Sequence, residues 1–324
     1  EVIVKHSRRL EGLEEMGIKQ EELLNQYSIL TVPESKLDEV SELPQVEYIE
    51  KPKRLYFAVN QAKAASCITY VQVEGSNYAP YLTGRGCLVA IIDSGIDYFH
   101  DDFRNEDGST RILELWDQSL DQIFTKEDID EALRKGSRKE ARLIVPSVDG
   151  SGHGTAVAGI AAGNGRESGG LYRGVAFESQ LLVVKLGIPK PLGFPRTTEL
   201  MRALDYVVRR AAQLGMPVSI NVSIGNTYGS HDGTSLLETY VDGISNYGRN
   251  VIVVGSGNEA GSGGHISGVL SMGNAVNVEL SIAPYESGIT VQLWKHYIDD
   301  FAITLVTPSG NILGPLPAVI GPQT

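Results

Sequence analysis

The chain has 324 residues, of which 42% are hydrophobic and 21% charged, and its 28 basic and 40 acidic residues give a net charge of -12. This composition is typical of a globular protein with a sizeable core, and no apolar run is long enough to cross a bilayer. The excess of acidic residues disfavours binding to a phosphate backbone, so we do not expect nucleic-acid binding. Without a long apolar run, we do not expect membrane insertion either. Only Cys67 and Cys87 are present, which excludes a disulfide framework.

The first 66 residues are predicted to form a small α+β domain of ferredoxin-like type. Short β-rich runs alternate with segments of helical spacing. The predicted elements are strands at Val2–Val4, Tyr27–Val32 and Val46–Phe57, and helices at Glu11–Leu24 and 36–43. Small residues and turn formers over residues 60–84 are typical of a linker.

Residues 67–268 are predicted to form an α/β domain with a parallel sheet and helices on both faces. Near-continuous Val, Ile and Leu runs are separated by amphipathic helices, which is the pattern of strands buried on both sides. The predicted strands are 87–93, 180–187, 218–225 and 251–257, and the predicted helices begin at His153, Thr197 and Ser235.

The pattern changes at Val269. Alternating apolar and polar residues broken by Gly and Pro predict a β-rich section over residues 269–324. The predicted strands there are 276–283, 288–297 and 301–310.

Three polar residues stand where predicted elements meet. Asp93 ends the first strand of the sheet, His153 follows a Gly-rich turn, and Asn258 follows the last strand. Because the carboxyl ends of parallel strands form the ligand-binding edge of such a sheet, we expect the three side chains to converge there. Each residue taken alone is more often a turn former, a helix cap or a structural histidine.

Together these residues suit acyl-transfer chemistry. A carboxylate that accepts from one imidazole nitrogen fixes the tautomer and leaves the other nitrogen as a general base. An asparagine amide can donate to the oxyanion of a tetrahedral intermediate. Asp93 and His153 would form the first pair, and Asn258 the oxyanion donor. Gly152 and Gly154 would let another backbone approach the histidine closely.

Four motifs carry a resemblance to a known family: Asp93–Asp97, His153–Gly159, Ser223–Gly225 and Gly257–Glu259. In this order they resemble the subtilisin-like serine proteases, in which a serine follows the asparagine. The resemblance implies a protein or peptide substrate whose backbone pairs with Ser223, Ile224 and Gly225 as an added strand. It also implies that residues 1–66 are a propeptide that assists folding and inhibits, with its tail in the active-site groove.

A narrower resemblance links the chain to the clostridial germination-specific (Csp-type) proteases. The segments that carry it are residues 66–72, 82–104, 111–119 and 291–310. It implies a jelly-roll insert between the asparagine and the catalytic serine, of which residues 269–324 would be the start. It further implies a spore-forming host, a spore-associated location and processing of a cortex-lytic zymogen.

The pattern departs from the family in two places. No Gly-Thr-Ser-x-Ala motif follows Asn258, so we predict that the nucleophile lies outside these residues and that this fragment alone is inactive. The loop after the His153 helix lacks a recognisable calcium-binding pattern, and we expect no metal and no cofactor. Two hypotheses stay open: a serine endopeptidase completed by a serine elsewhere, and a pseudoprotease that binds or senses.

One serine could be mistaken for the nucleophile. Ser235 follows Gly233-Thr234 but precedes Asn258, and with Glu238 it forms an S-x-x-E capping box. We therefore predict a helix cap. In the complete protein we expect propeptide cleavage between Ala62 and Gln72.

Overall fold

The computed structural model describes residues 1–52, 56–57, 68, 72, 81–188, 194–259, 261–282, 286 and 288–316. They form two compact units, one made of Glu1–Thr227 with Gly233–Gly268 and one made of Tyr228–Asp232 with Val269–Thr324. The predicted boundary between residues 66 and 67 lies outside the described residues and stays a prediction. No helix in the described ranges is long and apolar enough to span a membrane.

A six-stranded sheet forms the centre of the first unit. Its strands are β6 (Leu88–Asp93), β7 (Ile112–Asp117), β8 (Gln122–Thr125), β9 (Gln180–Lys185), β10 (Val218–Val222) and β12 (Asn250–Val254). They lie in the order β12-β10-β6-β9-β7-β8, and every neighbouring pair is parallel except β7 with β8. The helices are α2 (Lys126–Leu133), α3 (Arg138–Ala141), α4 (His153–Ala162), α5 (Thr197–Leu214) and α6 (Leu236–Ser245).

Helices cover both faces of this sheet, as the side chains of β6 show. Leu88, Ala90 and Ile92 belong to the apolar core that contains α5 and α6. Val89 and Ile91 point the other way, into the core that contains α2 and α4. The alternation follows from the period of two along a strand, and it confirms the predicted α/β fold.

A four-stranded antiparallel sheet forms the N-terminal part of the same unit. The elements are β1 (Val2–His6), β2 (Lys19–Glu22), β3 (Tyr27–Thr31), α1 (Leu37–Ser41) and β4 (Val46–Glu50). The strands lie in the order β2-β3-β1-β4, and helix α1 follows β3. Short 3-10 turns lie at Leu24–Gln26, Glu34–Lys36, Asp101–Phe103 and Arg166–Ser168.

The helix predicted at Glu11–Leu24 is wrong. Gly12 and Gly17 have φ values of +76° and +71°, which end any helix, and the chain continues from them into β2. Leu13 and Ile18 are buried all the same, in the apolar core of this small sheet. The apolar spacing therefore predicted correctly that Leu13 and Ile18 are buried, but the two glycines prevent the backbone from forming a helix.

The small sheet shares a core with the large domain. Ile3, Tyr27 and Ile29 pack in the cluster that holds α5 and α6, whereas Val2 and Val4 face the other side. The ring of Tyr27 meets that of Tyr240 edge-on at 5.0 Å between centroids. Polar contacts cross the same boundary, and the Tyr27 hydroxyl lies 2.8 Å from Thr239 Oγ1.

The second unit contains two strands in its described residues, β13 (Ile303–Val306) and β14 (Ile312–Leu316), which pair antiparallel. The strand predicted at 301–310 is confirmed in its central part. Those predicted at 276–283 and 288–297 are wrong as far as these residues are described, because they form no ladder there. Alternation signals a suitable side-chain pattern, but a strand also needs a neighbour for its backbone groups.

Candidate active site

Asp93 is the last residue of β6, a strand whose six residues are all buried. The strand lies between β10 and β9 in the middle of the sheet, and Asp93 is level with Lys185, the last residue of β9. The Asp93 side chain is 0% exposed. The Asp93 carboxylate therefore lies at the carboxyl edge of the sheet and is shielded from water.

His153 is the first residue of α4 and faces Asp93. Its Nδ1 lies 2.7 Å from Asp93 Oδ1, and its side chain is 9% exposed. The helix starts after Gly152, whose φ of +74° lets the chain turn sharply into it. Two residues 60 positions apart are therefore hydrogen-bonded, as expected from their places in the sequence.

Burial and pairing act in opposite directions on Asp93. Burial raises the pKa of its carboxyl group, and hydrogen bonds from the Ser94 backbone and from His153 offset part of that rise. The Ser94 N–H donates to the same oxygen at 2.7 Å. Both donors bind Oδ1 and compensate only part of the cost of burial, because Oδ2 is buried without a hydrogen-bond partner among the described residues.

Gly154 is required by the close approach of the two turns. A Cβ built on it would lie 2.2 Å from the carbonyl oxygen of Gly95 and 3.1 Å from Asp93 Cβ. Gly95 itself has a φ of +123°, in the region that favours glycine. The glycines of the two motifs thus allow the backbone of one turn to lie against that of the other.

Asp149 belongs to the same site, although sequence analysis did not single it out. Its Oδ1 accepts from Ser94 Oγ at 2.7 Å, and its Oδ2 accepts from Thr155 Oγ1 at 2.6 Å. The signal was weak, since an Asp before Gly-Ser-Gly is usually a turn former. What matters is its contact with both motifs, which only the folded chain reveals.

An ion pair lies at the same edge of the sheet. Lys185 Nζ is 3.0 Å from Asp117 Oδ2, and Asp117 is fully buried at the end of β7. Ser147 Oγ donates to the same Asp117 oxygen at 2.6 Å. The pairing places opposite charges at the ends of the neighbouring strands β7 and β9, so that Lys185 compensates the buried charge of Asp117.

Asn258 follows β12, at the same edge as Asp93, since both strands run parallel to β10. Its side chain is exposed, and no hydrogen bond within the described residues joins it to Asp93 or His153. Gly257 before it has a φ of +91°. The structure therefore brings two of the three predicted residues into contact and leaves the third on the same edge.

The predicted substrate strand forms a ladder with the chain that follows the small sheet. Ile224 and Gly225 form β11, which pairs antiparallel with β5 (Tyr56–Phe57), Ile224 opposite Phe57 and Gly225 opposite Tyr56. Ser223, just before β11, accepts a hydrogen bond from the Asn221 side chain at 2.8 Å. Residues 56–57 thus add a strand to β11.

Ser235 is the N-cap of α6, as predicted. The Glu238 backbone N–H donates to Ser235 Oγ at 3.3 Å, and the Ser235 N–H donates to Glu238 Oε2 at 3.0 Å. These are the two reciprocal bonds of a capping box. Both groups of the serine are therefore occupied in holding a helix end.

No group of three or more His, Cys, Asp or Glu side chains in the described part of the chain is arranged to hold a metal ion. Cys87 is a free thiol, and Cys67 lies outside the described residues.

Comparison with known proteins agrees with this geometry. Residues 84–296 match the subtilase family (Peptidase S8), and residues 1–53 match the Csp protease B prodomain. The solved structure of the Clostridium perfringens CspB protease is 38% identical with a TM-score of 0.55, over 63% of this chain and 42% of that one.

Two curated relatives are more distant. Subtilisin of Bacillus sp. (strain TA39) is 24% identical over 85% of this chain and 56% of its own length. The major intracellular serine protease of Bacillus subtilis (strain 168) is 27% identical over 74% of this chain and 63% of its own length. The chain thus spans less than two thirds of either relative. Because the subtilase model matches more than half of its residues, this chain belongs to the subtilase family of serine proteases and carries a Csp-type prodomain.

Proposed function

We propose that this chain is part of a serine endopeptidase in which Asp93 and His153 activate a serine nucleophile. The observation that carries the proposal is the 2.7 Å contact between His153 Nδ1 and Asp93 Oδ1. Asp93 holds the imidazole with Nδ1 as donor, which leaves Nε2 to take the proton of a serine hydroxyl. The serine oxygen then attacks the peptide carbonyl, and the imidazolium returns the proton to the leaving amine.

The nucleophile in this proposal lies outside residues 1–324. The serines after Asn258 lack the Gly-Thr-Ser-x-Ala context, and Ser235 serves as a helix cap. Asn258 would donate its side-chain amide to the oxyanion, a role supported by its exposed place at the edge where Asp93 ends β6.

Substrate would bind by adding a strand to Ser223, Ile224 and Gly225. Support comes from the ladder of β11 with Tyr56–Phe57, because it shows that this segment accepts an antiparallel strand. The same ladder supports inhibition by the prodomain, whose tail would occupy the place of substrate.

Cleavage between prodomain and peptidase is proposed to fall between Ala62 and Gln72. This window lies outside the described residues except for Ile68 and Gln72. N-terminal sequencing of the processed full-length protein tests it. A mature N-terminus elsewhere would contradict the window, and processing that persists in His153→Ala would contradict self-cleavage.

The match of residues 1–53 to the Csp protease B prodomain supports a role in spore germination. We propose that the whole protein activates a cortex-lytic zymogen in a spore-forming bacterium.

Hydrolysis by the full-length protein tests the catalytic proposal. Purified wild type should cleave a peptide library, whereas His153→Ala should lose nearly all turnover because it lacks the imidazole that takes the serine proton. Equal turnover in both proteins would refute the role of His153. No turnover in the processed wild type would favour a pseudoprotease that binds without cleaving.

A further inference from the structure

The helix that carries His153 has no side chain at its own N-cap. Its first N–H groups have no partner within the helix, and Gly152 cannot supply one. Three acceptors come from elsewhere: Ser151 Oγ for the His153 N–H at 3.1 Å, Ser94 Oγ for Gly154 at 2.9 Å, and Asp149 Oδ2 for Thr155 at 2.9 Å. The first three N–H groups of the helix are thus held by side chains outside it.

Asp149 joins these acceptors to one another. Its Oδ1 accepts from Ser94 Oγ at 2.7 Å and from the Gly152 N–H at 3.0 Å. Its Oδ2 accepts from Thr155 Oγ1 at 2.6 Å, and that hydroxyl oxygen accepts from the Asp97 N–H at 2.8 Å. One carboxylate therefore contacts the helix start directly and reaches the Asp93–Asp97 turn through Ser94 and Thr155.

The geometry calls for an ionised carboxylate at this position. Four donors within 3.0 Å converge on its two oxygens, and an amide offers only one acceptor oxygen and would turn N–H groups toward donors. Burial alone raises the pKa of Asp149, but hydrogen bonds from Thr155, Ser94 and Gly152 outweigh it and hold the pKa below its usual value. A negative charge at a helix start is also favoured by the helix dipole.

We propose that Asp149 is a positioning residue for the active site. By fixing the Asp93 turn against the first turn of α4, it sets the distance and angle of the His153–Asp93 hydrogen bond without touching the reacting atoms. The proposal rests on the proposed function, in which that hydrogen bond holds the catalytic imidazole.

The test follows the downfield proton resonance of His153 Nδ1–H by NMR, in the chain of residues 1–324 with labelled histidine. Asp93→Ala identifies the signal, because it removes the acceptor. Asp149→Asn should lose the resonance to solvent exchange, since the imidazole would no longer be held against Asp93. Asp130→Asn is the matched control: Asp130 also accepts a backbone N–H, from Thr110 at 2.6 Å, and in the described part of the chain no hydrogen bond or ion pair joins it to α4. It should keep the wild-type signal.

The outcomes separate the two proposals. An unchanged resonance in folded Asp149→Asn would overturn the positioning role and leave the Asp93–His153 pair intact. Absence of an Asp93-dependent resonance in the wild type would overturn both. If Asp149→Asn does not fold, Thr155→Val decides, since at constant shape it removes both the bond from Thr155 Oγ1 to Asp149 and the bond that this oxygen accepts from the Asp97 N–H. A weakened resonance would then support the proposal, and a wild-type resonance would overturn it.

Discussion

Asp93 is fully buried, so its charge is held by the protein instead of by water. Burial raises the pKa of its carboxyl group above the ordinary value of 3.8. The folded state therefore binds the proton more tightly than the unfolded state, and ionisation of Asp93 lowers stability as the pH rises through that interval. The ionised form of Asp93 therefore lowers the stability of the fold.

Replacing Asp93 by Asn should consequently leave stability at neutral pH unchanged or higher, because the buried charge is removed. The melting temperatures of variant and wild type should converge as the pH falls toward the ordinary carboxyl pKa. Turnover of the full-length protein should drop by about 10⁴-fold, since the neutral amide can donate to Nδ1 and so favours the wrong tautomer of the imidazole. Thermal unfolding across pH checks the first part. A variant that is much less stable at neutral pH would show that the charge stabilises the fold.

Gly154→Ala tests the close approach of the two turns. Its methyl group would meet the Gly95 carbonyl at 2.2 Å, so we expect a loss of about 1–3 kcal/mol in the free energy of unfolding. Gly159→Ala in the same helix is the control, because a Cβ there meets nothing within 4 Å. It should stabilise by about 0.5–1 kcal/mol. Equal effects in urea titrations would contradict the steric explanation.

At the scale of elements, α6 depends on its capping box. Ser235→Ala should cost about 1 kcal/mol in the free energy of unfolding, because one helix N–H loses its acceptor. Hydrolysis by the full-length protein should be unaffected. Denaturant unfolding and a peptidase assay measure the two quantities, and a loss of turnover with unchanged stability would show that Ser235 is catalytic instead.

The contact of β3 with α6 should stabilise the packing of the small sheet against the large domain. Tyr27→Phe removes the hydroxyl contact with Thr239 and should cost about 1 kcal/mol. Tyr27→Ala also removes the packing on Tyr240 and should cost about 3–5 kcal/mol. Tyr48→Phe is the control, since that side chain is 53% exposed and should change stability by less than about 0.5 kcal/mol. If Tyr48→Phe lowered the free energy of unfolding as much as Tyr27→Phe, the contact between Tyr27 and Thr239 would not explain the loss.

Elements with an uninterrupted apolar pattern could be predicted from the sequence, and those that depend on pairing could not. The strand 87–93 and the long helix α5 have the apolar residues that become buried in their own sequence, so a local pattern predicts them. The prediction omitted β7, which contains Glu114, a charged residue buried because Arg210 donates to it at 2.8 Å. Such a partner lies 96 positions away and leaves no local signal.

For the whole molecule, the sheet topology explains why distant residues meet. Since β6, β10 and β12 are parallel neighbours, Asp93, Ser223 and Asn258 are delivered to one edge whatever their separation in sequence. The general rule for open α/β sheets was enough to predict that edge. Asp149 and Lys185 were missed because their partners are contributed by other loops and strands, so no short motif marks them.

The most direct test of the central claim is fluorophosphonate labelling of the processed full-length protein, followed by peptide mapping. The reagent modifies a serine only when a base activates it. We predict one labelled serine, outside residues 1–324, with labelling abolished in His153→Ala. Labelling of Ser235, or no labelling of folded and processed wild type, would contradict the assignment of Asp93 and His153 to a serine peptidase.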